Sequence, residues 1–265
     1  MKELIKNIAR WQDEHIASFN AEDDGVKNAF RLKKEHIAFV RKHSKELAKS
    51  LNLDEHLVDL AELIGLCHDL GRFYQYDKYN TFNDSVSEDH AALALKIFEE
   101  CPYKKEILPK DLFLMQFAIF NHNKKEIEEI AGDAKDAITL AKVIRDADKL
   151  DIYRVLEPYL TGESATGAPN FVKADASNDI SPDFMEIFVE GRQADYNEIK
   201  THGDRKLVRL LWIYDINYPW TMKKLKEAGY AEKIISSLEP KNERLELGVT
   251  RLYEYMDKMV AEVKI

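Results

Sequence analysis

The sequence predicts an all-α protein, and three observations carry that expectation. Apolar residues recur at i, i+3 and i+4 along most of the chain, the period of a helix with one buried face. Long stretches are built from Ala, Leu, Lys and Glu, and only 10 glycines and 7 prolines interrupt 265 residues. Clusters of turn-forming residues are few and short. A chain of this length can bury a large core, as one domain or as one with an appended subdomain. Its composition, 45% hydrophobic and 33% charged, is ordinary for a globular protein.

Taken in order, residues 2–18 form the first expected helix and Asp23-Asp24-Gly25 opens the next region. The second helix, 27–50, carries Leu32, His36 and Val40 at i, i+4 and i+8. A third, 54–70, starts near Asp54 and stops at Gly71, read as the residue after its C-cap. Residues 72–86, rich in aromatic and polar types, read as a loop. Ser87 is the expected cap of a helix running to Glu100. The segment 111–121, apolar on nearly all sides, is expected to be a central core helix. A short helix follows over 125–131, then a long one over 134–157 that ends near Pro158. Residues 161–185 hold glycines, prolines and aspartates and read as an ordered loop or lid. Ser181-Pro182 begins a further helix as N-cap and N1, and breaks are expected near Gly203, Pro219 and Pro240. A soft boundary at 160 separates a ligand-bearing core, 1–160, from a C-terminal helical extension, 161–265, packed on the same unit.

Composition narrows the function. A formal charge of −9 disfavours a broad surface that tracks nucleic-acid phosphates, so no nucleic acid polymer is expected as partner. A small anionic substrate remains compatible, because metal ions and a few local cations override the global field. Met1 to Trp11 lacks the unbroken apolar run of a signal peptide or membrane span, and a cytoplasmic protein without membrane contact is expected. Cys67 and Cys101 read as small buried thiols of a reducing compartment.

The chemistry lies in His36, the doublet His68-Asp69, His90, His122, and the run Asp146-Ala147-Asp148-Lys149-Leu150-Asp151. His68 continues the stripe Leu57, Leu60, Ala61, Ile64, and Asp69 adjoins it about 100° round the helix. His90 precedes Leu93, Ala94 and Ile97, and His122 follows Met115, Ala118 and Ile119. Asp148 shares a stripe with Ala141, Ile144, Ile152 and Val155, whereas Asp146, flanked by Lys142 and Lys149, is read as facing a more polar side. A buried carboxylate must be neutralised, paired or bound to metal. Imidazole and carboxylate donors without thiolate suit one or two divalent ions of Mn, Fe, Co, Ni or Zn, with Mg less suited. Asp148 is then the inward carboxylate, and Asp146 supports it or touches substrate.

His36, His68-Asp69 and Asp148 resemble the H…HD…D signature of the HD-domain metal-dependent phosphohydrolase superfamily. The matching core spans roughly residues 30–155, with "GLCHDLGRF" and "RDADKLD" its most specific pieces. The resemblance implies an all-α, HD-domain helical bundle that hydrolyses a small phosphate ester, a nucleotide or nucleotide-like molecule, by metal-activated water. It makes His90 and His122 the extra ligands of binuclear members, with Asp69 bridging two ions. Asp69, Lys149 and Arg72 are the residues expected to act in catalysis, the two cations as phosphate contacts; their alternative reading is solvated surface charge. The run "GRFYQYDKYNTFNDSVSEDH" resembles a bacterial branch of HD hydrolases without assigned substrate, and the glycine-tyrosine-proline run of the cyclic-di-GMP phosphodiesterase branch is missing. Two other functions use the same ligands: a mixed-valent di-iron oxygenase, and a non-catalytic nucleotide- or metal-sensing module. Phe73, Tyr74, Tyr76, Tyr79 and Phe82 read either as a base-stacking wall or as the packing of an irregular loop.

Overall fold

The computed structural model describes residues 1–19, 23–132, 134–162, 177–195, 198–239 and 241–261, and every regular element among them is helical. The chain divides into two compact units, Met1–Asp151 and Ile152–Ile265. Their boundary falls inside one long helix. Among the described residues, no helix is long and apolar enough to cross a membrane.

The first unit is built from α1 (Lys2–Ala17), α2 (Asp24–Ser50), α3 (Glu55–Cys67), α4 (Gly71–Tyr79), α5 (His90–Phe98), α6 (Pro109–Asn121) and the first part of α7 (Lys135–Thr161). The centre of the unit is α3, not the expected 111–121 segment. Residues 58–67 of α3 are buried on every side, and the helix packs against α1, α2 and α6. Its acidic residues Asp59 and Glu62 disguise this in the sequence. Glu62 is neutralised by Arg41 and Lys45, at 2.6 and 2.5 Å, which lets a charged residue sit on an otherwise apolar helix. By contrast α6 buries one face through Leu114, Met115, Ala118 and Ile119, while Phe113 stays 50% exposed.

Three further expectations are corrected in this unit. Gly71 does not end a helix in the left-handed conformation; it begins α4, so most of the expected 72–86 loop is helical. A Cβ at Gly71 would stand 2.4 Å from the His90 carbonyl oxygen and 2.7 Å from the Ala94 nitrogen. The glycine is there to let α4 and α5 touch. The cap of α5 is Asp89, whose carboxylate accepts from the Ala91 and Ala92 amides, while Ser87 Oγ accepts from Gln75.

Residues 125–131 are not helical. The carbonyls of Asn121, Lys124 and Lys125 accept from the buried Arg145 guanidinium, and Asn121 Oδ1 accepts from the Glu128 amide. These bonds compete with the i to i−4 ladder and fix an irregular turn instead.

The other end of α7 also differs from expectation, running through Pro158 to Thr161. The proline has no N–H to give to the carbonyl four residues back, and only three helical residues follow it. The second unit continues with α8 (Pro182–Glu190), α9 (His202–Leu211), α10 (Pro219–Ala228), α11 (Tyr230–Ser236) and α12 (Glu243–Ala261). Pro182 is the first residue of α8, and the Ser181 hydroxyl donates to Asp204 rather than capping its own helix. Thr201 and Asp204 close a capping box at the start of α9. Phe188, Leu207, Leu210, Met222, Ile234, Leu252 and Met256 form the core of this unit. Of the expected lid, residues 163–176 lie outside the described residues, as does Pro240.

Candidate metal centre

The site is assembled where α2, α5, α6 and α7 each bring one ligand side chain, and the end of α3 brings two, into the first unit's interior. Close approach of α2 and α3 makes the first half. Gly65 permits it, since a Cβ there would stand 2.9 Å from the Arg41 Cα and 2.8 Å from Ser44 Oγ. His36 on α2 and His68 at the end of α3 then face each other with ring centroids 5.5 Å apart. Asp148, one turn before the unit boundary on α7, points its Oδ1 to within 3.0 Å of His36 Nε2 and 3.7 Å of His68 Nε2.

Asp69 joins this group to a second one. Its Oδ2 lies 3.5 Å from His36 Nε2 and 3.8 Å from His68 Nε2. Its Oδ1 lies 3.5 Å from His90 Nε2 and 3.9 Å from His122 Nε2. The structure thus brings together six expected ligands, His36, His68, Asp69, His90, His122 and Asp148, in two clusters that share one carboxylate. His36, His68 and Asp69 have ligand atoms close enough to hold one ion, and so do Asp69, His90 and His122.

Each imidazole is anchored through its far nitrogen. Nδ1 of His36 meets Asp151 Oδ2 at 2.7 Å, and Nδ1 of His90 meets Asp84 Oδ2 at 2.6 Å. Nδ1 of His68 donates to the Gly65 carbonyl at 2.9 Å, and Nδ1 of His122 donates to the Ile119 carbonyl at 2.6 Å. All four partners are acceptors, so the Nδ1 atoms carry the protons, and in the neutral rings the Nε2 lone pairs converge on Asp69. Hydrogen bonding at the outer nitrogen is how metal-binding imidazoles are oriented and their tautomer set.

Two features show that a cation fits. Nε2 of His36 and of His68 are buried and without a hydrogen-bond partner. Asp148 Oδ1, 3.0 Å from His36 Nε2, pairs with it electrostatically. The Nε2 atoms of His90 and His122 stand 2.9 Å apart. With protons committed to both Nδ1 atoms, two lone pairs face each other there, an arrangement a positive ion relieves.

The electrostatics agree. Burial drives His122 down to about 3, helped by His90 and His68, and burial and Arg72 lower His90, so both rings are neutral near pH 7. Burial and Lys33 oppose charge on His36, but Asp148 and Asp151 outweigh them and raise its pKa. Asp69, which is buried, and Asp148, which is mostly so, remain ionised, held well below the usual carboxylate range. Lys33, His68 and Arg72 overcome the burial of Asp69, and His36 and His68 that of Asp148.

A pH dependence follows for the metal-free protein. An unfolded imidazole takes up its proton near 6.5, whereas folded His122 does so only near 3, and His90 shifts the same way. Below 6.5 the unfolded state therefore binds more protons, and stability falls as pH is lowered toward 3. His36 has the opposite sign, but its contribution changes above 6.5 and is constant below. Thermal unfolding of metal-stripped protein is expected to show melting temperatures dropping through this window; a flat profile would contradict the buried neutral rings.

The remaining expected residues are placed as follows. Asp146 does not face a polar side: it is fully buried, whereas the Asp148 side chain is 16% exposed. Lys149 is half-buried on α7. Arg72 is tied down by Nη1 donating to Gln75 Oε1, the Phe82 carbonyl and Asp84 Oδ1 at 2.8, 2.6 and 2.9 Å, while its Nε lies 3.5 Å from Asp69 Oδ1. Phe73, Tyr76 and Phe82 are buried; Phe73 packs on Phe30 and Tyr76 on Phe82, so these three are core. Sequence reasoning missed Lys33, Asp84 and the role of Asp151. Lys33 is one turn before His36 and Asp151 one turn after Asp148, so helical spacing carried the signal for both. Asp84 belongs to a 3₁₀ turn, Asp84–Val86, and no periodicity marks it.

Taken together, the first unit is an all-helical protein built round a buried histidine–carboxylate centre of the kind that holds divalent metal. Residues 34–153 match the family model of the HD domain. This segment is an HD domain, the domain of a superfamily of metal-dependent hydrolases. Comparisons with curated proteins and with solved structures give no match.

Proposed function

We infer that the protein is a phosphohydrolase, acting on a small phosphate ester of nucleotide or nucleotide-like type, as a phosphomonoesterase or phosphodiesterase. The observation that carries this reading is the sharing of Asp69 between two imidazole pairs, each aimed by its own outer hydrogen bonds. That arrangement would suit two divalent ions sharing this carboxylate. His36, His68, Asp69 and Asp148 would hold one; Asp69, His90 and His122 the other. Bound there, Mn, Fe, Co, Ni or Zn, and less readily Mg, supplies Lewis acidity toward a phosphoryl oxygen and makes water a better nucleophile.

The chain's own groups do the rest. Asp151 and Asp84 fix the His36 and His90 rings, and the Gly65 and Ile119 carbonyls fix His68 and His122. Asp148, 16% exposed in its side chain, is the most solvent-accessible of the six ligands. Lys149 and Arg72 are the cations assigned to the phosphate, and Arg72 also positions the Asp84 turn. Buried Asp146 supports the α7 end of the site. Metal-stripped protein reconstituted with Mn(II) is expected to release phosphate, or to cleave a diester, from at least one member of a nucleotide panel. Full metal occupancy with no turnover on any phosphate ester would refute the reading, and oxygen consumption by the iron-loaded protein would replace it with an oxygenase.

A further inference from the structure

We propose that Lys33 is a built-in counter-ion that competes with metal for Asp69 Oδ2 and, once displaced, binds an anionic oxygen of the substrate. This rests on the functional reading above and adds to it a residue that contacts an anionic oxygen of the ligand. Lys33 is one helical turn before His36, so the two side chains share a face of α2. Its Nζ lies 2.7 Å from Asp69 Oδ2. The other cations with ion-pair partners along this part of α2 point to solvent: Lys27, Arg31 and Lys34 are 56%, 65% and 45% exposed in their side chains. Lys33 is 15% exposed. It is turned inward, and still reaches water.

The oxygen it holds is the one facing His36 and His68. An ion between those rings needs that same lone-pair region, so metal and ammonium cannot both keep their distances to it. The ammonium would also lie against a divalent charge, where repulsion is less screened than in water because the site is buried. The Phe82 ring, 5.3 Å from Nζ, offers it a cation–π neighbour off the carboxylate. From there the ammonium has lost its acceptor while remaining beside the centre. A phosphoryl oxygen is the natural replacement, taken as a point charge rather than in bidentate fashion.

The test uses the full chain with Lys33→Met and Lys33→Arg. Mn(II) binding to metal-stripped protein is measured by calorimetry, and inorganic phosphate binding is then measured on the Mn-loaded protein. Lys33→Met is expected to bind Mn(II) about tenfold more tightly and phosphate about tenfold more weakly, with Lys33→Arg restoring phosphate binding. Circular dichroism verifies folding, and Lys33→Gln is read in the same way if the methionine variant does not fold. Unchanged or weaker Mn(II) affinity without the charge overturns the competition, and unchanged phosphate affinity overturns the anion contact. Wild-type protein that binds no Mn(II) overturns the metal centre itself, and with it this proposal.

Discussion

Replacing Asp69 by Asn is expected to abolish metal-dependent turnover and to reduce bound Mn(II) at both halves of the site. The reason is geometric. One oxygen of Asp69 faces His36 and His68, the other faces His90 and His122. An amide of the same shape presents one oxygen and one NH₂, so one cluster keeps a neutral acceptor and the other meets a donor. The negative charge that offsets both ions is also lost, while Lys33 and Arg72 remain beside the position. Activity should fall by on the order of a hundredfold or more, a loss of the size seen when even outer partners of metal ligands are removed. His122→Ala is the informative comparison: it touches one cluster and should leave the ion between His36, His68 and Asp148 in place. Elemental analysis of dialysed protein alongside phosphate release reads both variants. An Asp69→Asn protein that retains its full metal content would contradict the shared-carboxylate arrangement.

Helical spacing made much of this site legible. His36, His68, His90 and His122 each continue an apolar stripe of their own helix, and a polar residue on such a stripe must point inward. The same logic failed for Asp146, because lysines at i−4 and i+3 suggested a wet face where the residue is fully buried. Lysine stems cover apolar surface while their charges reach water, so flanking lysines are a poor sign of exposure. The central helix was misplaced for the converse reason. Asp59 and Glu62 made α3 look amphipathic, while the aromatic run on α6 looked buried all round, with Phe113 half-exposed. What no local pattern could supply were contacts closed by tertiary structure: the Asp84 turn behind His90, the Arg145 guanidinium that unwinds 125–131, and the reason for glycine at 71. These depend on how separate segments pack, about 20 residues apart for Arg145 and Gly71, and they decide how the ligand helices are held.

Gly71→Ala is expected to be among the most destabilising single-methyl substitutions in the first unit, costing about 3 kcal/mol. The added Cβ would meet the His90 carbonyl at 2.4 Å, the Ala94 nitrogen at 2.7 Å and the Leu93 Cβ at 2.7 Å. Two of these atoms are backbone of α5, so no rotamer change relieves the contact; α4 and α5 must separate. The separation has a functional consequence, because His90 is the first residue of α5. Its Nδ1 is bound to Asp84, and Asp84 is held in turn by Arg72 and Gln75 from α4. Moving the helices apart therefore strains the tie that aims His90 at Asp69. His36 and Asp148 are carried by α2 and α7, whereas His68, the residue after α3, stands three residues before Gly71. Urea denaturation should show a lower midpoint with unchanged slope. Metal analysis of the folded variant should show the ion of the His90–His122 cluster lost in preference to the other. Equal loss of both ions would mean that the damage spreads beyond α5, and an unchanged midpoint would mean that α4 and α5 do not meet at this glycine.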